Sequence, residues 1–380
     1  MFTRTNTVGL ASLVAATLLA AACSEPVGPN PRALDAPRFA VMASGIALDQ
    51  WNGTMRESGT MLIKGFNPTN PHVGDAVVAT FFWAGSKNII DSVTDVLTTN
   101  PYTRVGNPYA LVQYVTSGGL SMATYVATNV QNFPDGITDS AGGNIYAVRA
   151  NLSQTVTDGG VLLSAYTGVN PVWAQALGAR HSAAGSGSTA TTADPGAIAI
   201  GAGALAYGVS MSGLYGVNRP AGFTPVATMS DAVFNTDGEY TVTSAAGSID
   251  PQWTWFFDSP GTWLASVVAL NPAQQHLGFT VQPTTTLPLM AIQPPVRVTV
   301  VDDLGNTVTG FTGSVTVAIG HNGGLVTPGT LSGTKTVAAV NGVATFSDLT
   351  IDQPGNGYTL VVTAAGVTGA ESAAFNIGAF

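Results

Sequence analysis

Short apolar segments alternate with clusters of Gly, Asn, Asp and Pro along most of this chain, and within the segments β-branched and aromatic residues recur at every second position. That period belongs to strands, whose side chains point to opposite faces in turn. It predicts strands over Ala76–Trp83, Ala110–Thr116, Met122–Val130, Asn144–Leu152, Val161–Tyr166, Tyr240–Ser244 and Trp263–Leu270. Few stretches hold a 3.6-residue period for three turns, so the fold class is all-β. Ser182–Ala193, mostly Ala, Gly, Ser and Thr, reads as a flexible loop, and Ala197–Val209 as a single strand of very small residues.

The segment Asn271-Pro272-Ala273-Gln274-Gln275 divides the folded part into a large β-sandwich over 44–272 and a second over 276–380. In the second, VRVTVVD puts Val296, Val298 and Val300 on one face. Asp303-Leu304-Gly305-Asn306 turns the chain, and SVTVAI repeats the alternation with Val315, Val317 and Ile319. From VQP at 281–283 through VTVVDDLGNTVTGFTGSVTVAI and NGVATFSDLTI to GYTLVVTA, this segment resembles the bacterial immunoglobulin-like repeats of invasin- and intimin-type surface proteins. The resemblance implies an immunoglobulin-like sandwich that serves as a spacer or adhesive arm. In the large segment, VGDAVVATFFW (73–83), SVTDVLTTNPYTRVG (92–106), AYTGVNP (165–171) and GTWLASVVALN (261–271) resemble a recurring extracellular β-sandwich module of unknown activity. The resemblance implies a jelly-roll-like double sheet with its last strand buried and Trp263 in the core.

An apolar run from Val8 to Ala22 follows a short polar start with Arg4 and ends at Cys23, the single cysteine of the chain. This is the pattern of an export signal, too short and too polar to span a bilayer as a helix. Leu19-Ala20-Ala21-Ala22-Cys23 resembles a bacterial lipobox, with Ala20 where Leu is preferred, and the resemblance implies that Cys23 becomes the lipid-modified first residue of the mature chain. Residues 1–22 are then the signal peptide; Ala20 and Ala22 also make an A-x-A site, which fits ordinary cleavage without acylation as the competing reading. Residues 23–43, with four prolines between Pro26 and Pro37, form a semi-stiff tether. Ser24 and Glu25 lack the Asp that the same resemblance links to inner-membrane retention, which favours the outer membrane or cell surface.

Composition agrees with that setting. Only 9% of residues are charged against 45 glycines, the balance of an extracellular β-protein and not of a helical enzyme. The net charge is −9 and the 12 basic residues form no stripe, so nucleic acid is not an expected partner. With no cysteine after Cys23, burial and hydrogen bonding must hold the sandwiches.

Candidate chemistry is sparse. No G-x-S-x-G is present, and the four histidines, His72, His181, His276 and His321, show no ligand spacing, so neither a metal nor another cofactor is expected. A retaining glycosidase needs two carboxylates about 5 Å apart. Only Glu57 and Glu239 are available as glutamates in the large segment, and they read as lacking acidic neighbours at strand spacing. Two segments fit D-x-[VI]-T-D-x4-N-x-Y: Asp91–Asp95 with Asn100 and Tyr102, and Asp135–Asp139 with Asn144 and Tyr146. Six to eight oxygen ligands would make these calcium loops, but so few carboxylates favour a twice-used turn shaped by Asp and Asn, with Tyr returning to the core. Trp253, Trp255 and Phe257 alternate and could stack on sugar rings, with Gln252 and Asp258 beside them for hydroxyls; the competing reading packs them between sheets. The sequence thus points to a lipid-anchored surface protein with a binding, adhesive or structural role and a glycan or surface protein as its partner. A polysaccharide hydrolase or lyase on a β-sandwich is the alternative.

Overall fold

The computed structural model describes residues 45–136, 144–186, 192–213, 217–255 and 261–378. The signal, Cys23, the tether, Asp139, Phe257 and Asp258 lie outside them. Its first part comprises β1 (Ala47–Gly65), β2 (Ala76–Ala84), β3 (Ile90–Leu97), β4 (Thr103–Arg104), β5 (Ala110–Ser117), β6 (Leu120–Ala127) and the 22-residue β7 (Tyr146–Thr167). They form one seven-stranded sheet in the order β4-β3-β7-β2-β6-β5, with β1 also paired along β7. The N-terminal half of β7 pairs with β3 and its C-terminal half with β2, so the long β1–β7 ladder serves two groups of strands. The ladder slips register around Thr54–Met61, where Arg56 has φ 62°. Opposite this bulge stands Gly160, where any Cβ would run into the Thr54 carbonyl oxygen. The segments Asn144–Leu152 and Val161–Tyr166, expected as two strands, fall from Tyr146 on in one continuous strand, β7.

A four-residue helix, α1 (Trp173–Ala176), leads into β8 (Leu177–Gly185), β9 (Thr192–Ala193), β10 (Ile198–Ile200), β11 (Leu205–Ser212), β12 (Val217–Asn218), β13 (Thr224–Ser230), β14 (Asn235–Val242), β15 (Gly247–Ile249), β16 (Trp253–Trp255) and β17 (Trp263–Leu270). The main sheet runs β13-β14-β11-β17-β8. Ala197–Val209 is therefore two strands, parted at Gly201–Gly203, and β8 occupies the first residues of the expected Ser182–Ala193 loop.

Strands β2 and β6 are buried on both faces. Val78, Phe82, Met122 and Val126 meet Leu205, Tyr207, Val209, Leu264 and Val268 of the five-stranded sheet. On the opposite face Val77, Phe81, Trp83 and Tyr125 pack with Tyr146, Val148 and Leu163. Each large apolar side chain buried this way contributes roughly 1.5–3 kcal/mol. Between the sheets, Thr80 Oγ1 lies 3.0 Å from Thr124 Oγ1 and 3.1 Å from the Tyr207 hydroxyl, so these three buried hydroxyls satisfy one another. The outer face of the five-stranded sheet is covered in turn by two small sheets, β10-β15 and β12-β16-β9.

The remaining strands are β18 (Gln275–Val281), β19 (Val296–Asp302), β20 (Ser314–Ile319), β21 (Leu331–Ser332), β22 (Thr336–Ala338), β23 (Val343–Phe346), β24 (Thr350–Ile351), β25 (Gly355–Tyr358), β26 (Leu360–Ala364), β27 (Val367–Glu371) and β28 (Phe375–Ile377). A four-stranded group, β22-β20-β26-β27, and a three-stranded group, β18-β19-β23, meet through one parallel bridge between His276 and Thr368. They enclose a separate core that includes Val296, Val298, Val300, Val315 and Val317, the faces that the alternation predicts. The protein is an all-β sandwich fold. Among the described residues no helix is long and apolar enough to cross a membrane.

Candidate functional site

Strand β14 carries two acids on one face. Gly238 points inward, where a Cβ would strike Leu162, so Asp237 and Glu239 on either side of it point to the outer face of the sheet. Both are buried, at 1% and 0% exposure. Across the register, Glu239 sits opposite Gly208 and Asp237 opposite Ser210. Gly208 leaves room for Trp253, whose Cη2 lies only 3.1 Å from where a Cβ would stand. Arg219, just after β12, brings Nε to 3.5 Å from Asp237 Oδ1 and 3.6 Å from Glu239 Oε1. Its Nη2 donates to Thr228 Oγ1 at 2.6 Å, and Thr228 donates to Asp237.

Neither oxygen of Glu239 completes a hydrogen bond, although Asp237 and the Trp253 indole N–H face it. Burial first, and then the Asp237 carboxyl, push the Glu239 carboxyl up to about 9, against the opposing pull of Arg219. At neutral pH the Glu239 carboxyl therefore keeps its proton, and the Arg219 guanidinium lies against both acids. Asp237 corrects the sequence reading, in which Glu239 lacked an acidic neighbour: the D-x-E spacing, two residues on one strand, was the available signal. Glu57, the other glutamate, lies on β1 and accepts from Thr54 Oγ1 at 2.8 Å.

The sugar platform is also corrected. Trp253 and Trp255 are 0% and 8% exposed and pack with Ala193, Trp263 and Ala265. The physical reason is their layer: β16 belongs to the small sheet lying on the main one, so its inward positions are core and Thr254 between them is exposed. Gln252 is exposed and donates to Asp194 Oδ2 at 3.2 Å and Asp250 Oδ2 at 3.1 Å. The large aromatic side chains open to solvent among the described residues are Trp51, Tyr102 and Trp173.

The repeated Asp–Asn segments separate in role. Asp95 is fully buried and accepts from Gly106 N at 2.7 Å, Asn107 N at 3.1 Å, Asn107 Nδ2 at 2.6 Å and the Tyr146 hydroxyl at 2.9 Å. This is a turn-shaping carboxylate with its acceptors filled by protein donors. Tyr146 returns to the core, but Tyr102 does not; it is 47% exposed.

A second acidic centre forms where the loop after β1 meets the start of that strand. His72 Nδ1 lies 3.1 Å from Asp49 Oδ2, and the His72 backbone N–H points at both Asp49 Oδ2, at 3.0 Å, and Asp75 Oδ2, at 3.2 Å. Asp135 is adjacent and accepts from Val73 N at 2.8 Å. Burial, then Asp49, push the Asp75 carboxyl up to about 9. Sequence spacing could not reveal this group, because the loop after β1 carries His72 back beside the start of that strand, where Leu48 and Ala76 both pair with Tyr166. Two other histidines go elsewhere: His181 contacts the Pro195 carbonyl and His276 pairs with Asp303 at 2.9 Å.

No protein-family model matches the chain, and no curated protein matches its sequence.

Proposed function

We propose that this chain is an exported protein, anchored by lipid at Cys23 to the outer membrane or cell surface, whose sandwiches act there by binding or as structure. The apolar run ending at the sole cysteine and the proline-rich tether support the anchor. The observation that carries the choice of binding over chemistry is the burial of Asp237 and Glu239 at 1% and 0% beneath Trp253. A glycoside hydrolase needs its two carboxylates at a groove where a glycosidic bond can lie between them. Here they tie the covering layer to the main sheet through Arg219.

A screen of the full chain against glycans, purified surface polymers and surface proteins tests this reading. Saturable binding without release of new reducing ends or unsaturated sugars is expected. Turnover that disappears in Glu239→Gln would overturn it and establish the enzyme. If glycans bind, the solvent-open Trp51 is the aromatic to replace first, since Trp253 and Trp255 have no free face.

A further inference from the structure

We propose that Asp49, His72 and Asp75 form a binding site for one divalent cation of the borderline class that accepts mixed carboxylate and imidazole donors, such as Zn²⁺ or Mn²⁺. The donor set is the first ground. One carboxylate oxygen from each aspartate and one imidazole nitrogen all lie within 4.8 Å of one another. The 3.1 Å between His72 Nδ1 and Asp49 Oδ2 is close to the edge of about 3.3 Å expected of a tetrahedron with bonds of roughly 2.0–2.1 Å. Imidazole beside carboxylates favours a transition cation over Ca²⁺ or Mg²⁺, which prefer oxygen alone.

The second ground is independent of those distances. Asp75 is 3% exposed and has two more carboxylates, Asp49 and Asp135, for neighbours, yet no Lys or Arg forms an ion pair with any of the three among the described residues. Asp75 is thus a buried acid among acids with no cationic side chain beside it, the place a bound cation would fill. The site can be reached, because the His72 side chain is 48% exposed. Asp135, held by Val73 N, stands outside this set of three donors and adds negative charge beside it. Ligation would clamp the beginning of β1 to the loop that precedes β2.

The test is a thermal melt of the untagged full chain, stripped with EDTA and then titrated separately with Zn²⁺, Mn²⁺ and Ca²⁺. Zn²⁺ or Mn²⁺ at about a hundredfold excess over Kd should raise the melting temperature by about 2 °C or more. Calorimetry should give one equivalent, and both effects should vanish in His72→Ala and in Asp75→Asn. His72 is exposed, so its variant keeps the test readable even where Asp75→Asn fails to fold. Indifference to all three ions, a shift retained in His72→Ala, or a response to Ca²⁺ alone would each overturn the proposal. A wild type indifferent to metal and an Asp75→Asn chain more stable than it in EDTA would assign a proton to the site instead.

Discussion

The Tyr146 hydroxyl donates to Asp95 Oδ2 across 2.9 Å, and through that bond the two copies of the Asp–Asn–Tyr pattern meet in one buried knot. Asp95 also accepts from the Gly106 and Asn107 backbone, so it fixes the chain after β4. Asp95→Ala strands several buried donors and is expected to cost about 3 kcal/mol or more, whereas Tyr146→Phe, which removes one donor, costs about 1–2 kcal/mol. Urea unfolding of the two variants measures the difference. Equal and small losses would show that the knot is not cooperative.

Glu239 predicts the pH dependence of stability. Its carboxyl has a folded value of about 9 against an ordinary value of 4.5. A raised folded pKa gives stability that is fully present below the unfolded value and lost as pH rises through the folded one. The melting temperature should therefore fall between about pH 4.5 and 9 by way of this group. Glu239→Gln, which needs no proton to stay neutral, should flatten that slope and stabilise the protein by on the order of 1–3 kcal/mol at pH 8. Melts across pH 5–9 decide it, and an unchanged slope in the variant would place the proton elsewhere.

Gly160 predicts where the fold tolerates no side chain. Even alanine there would meet the Thr54 carbonyl oxygen and stand 2.6 Å from the Phe82 ring. The contact is with backbone and cannot be relieved by a rotamer, so Gly160→Ala should cost roughly 3 kcal/mol or more and leave little soluble protein. Gly119→Ala is the control, with open space around it at φ 83°. Its cost should stay near 1 kcal/mol.

Much of this architecture could be read in the chain, and the gaps have physical reasons. Ala76–Trp83 and Trp263–Leu270 are legible because both faces of β2 and β17 are buried and nearly every residue is apolar or small. β1 escaped because its nineteen residues are mostly half-exposed and interrupted by a bulge, so no clean alternation survives. β14 was caught only at its end, from Tyr240, because its buried positions include Asn235, Asp237 and Glu239, which a hydrophobic pattern scores as surface. The same inversion hid the acid pair. Trp253 and Trp255 were visible as an alternating pair, but whether such a pair faces solvent or core depends on the layer beneath, which only the packing on β11 and β17 supplies.

The reading of the chain as a lipid-anchored surface protein stands or falls on Cys23. Express the wild type and Cys23→Ala in a bacterial host with lipoprotein processing, and partition both between detergent and aqueous phases while measuring the intact mass of the mature N-terminus. The wild type is expected to begin at Cys23, carry acyl mass and enter the detergent phase, and the variant to remain aqueous. Equal release of both into the aqueous phase, with no acyl mass on Cys23, would contradict it.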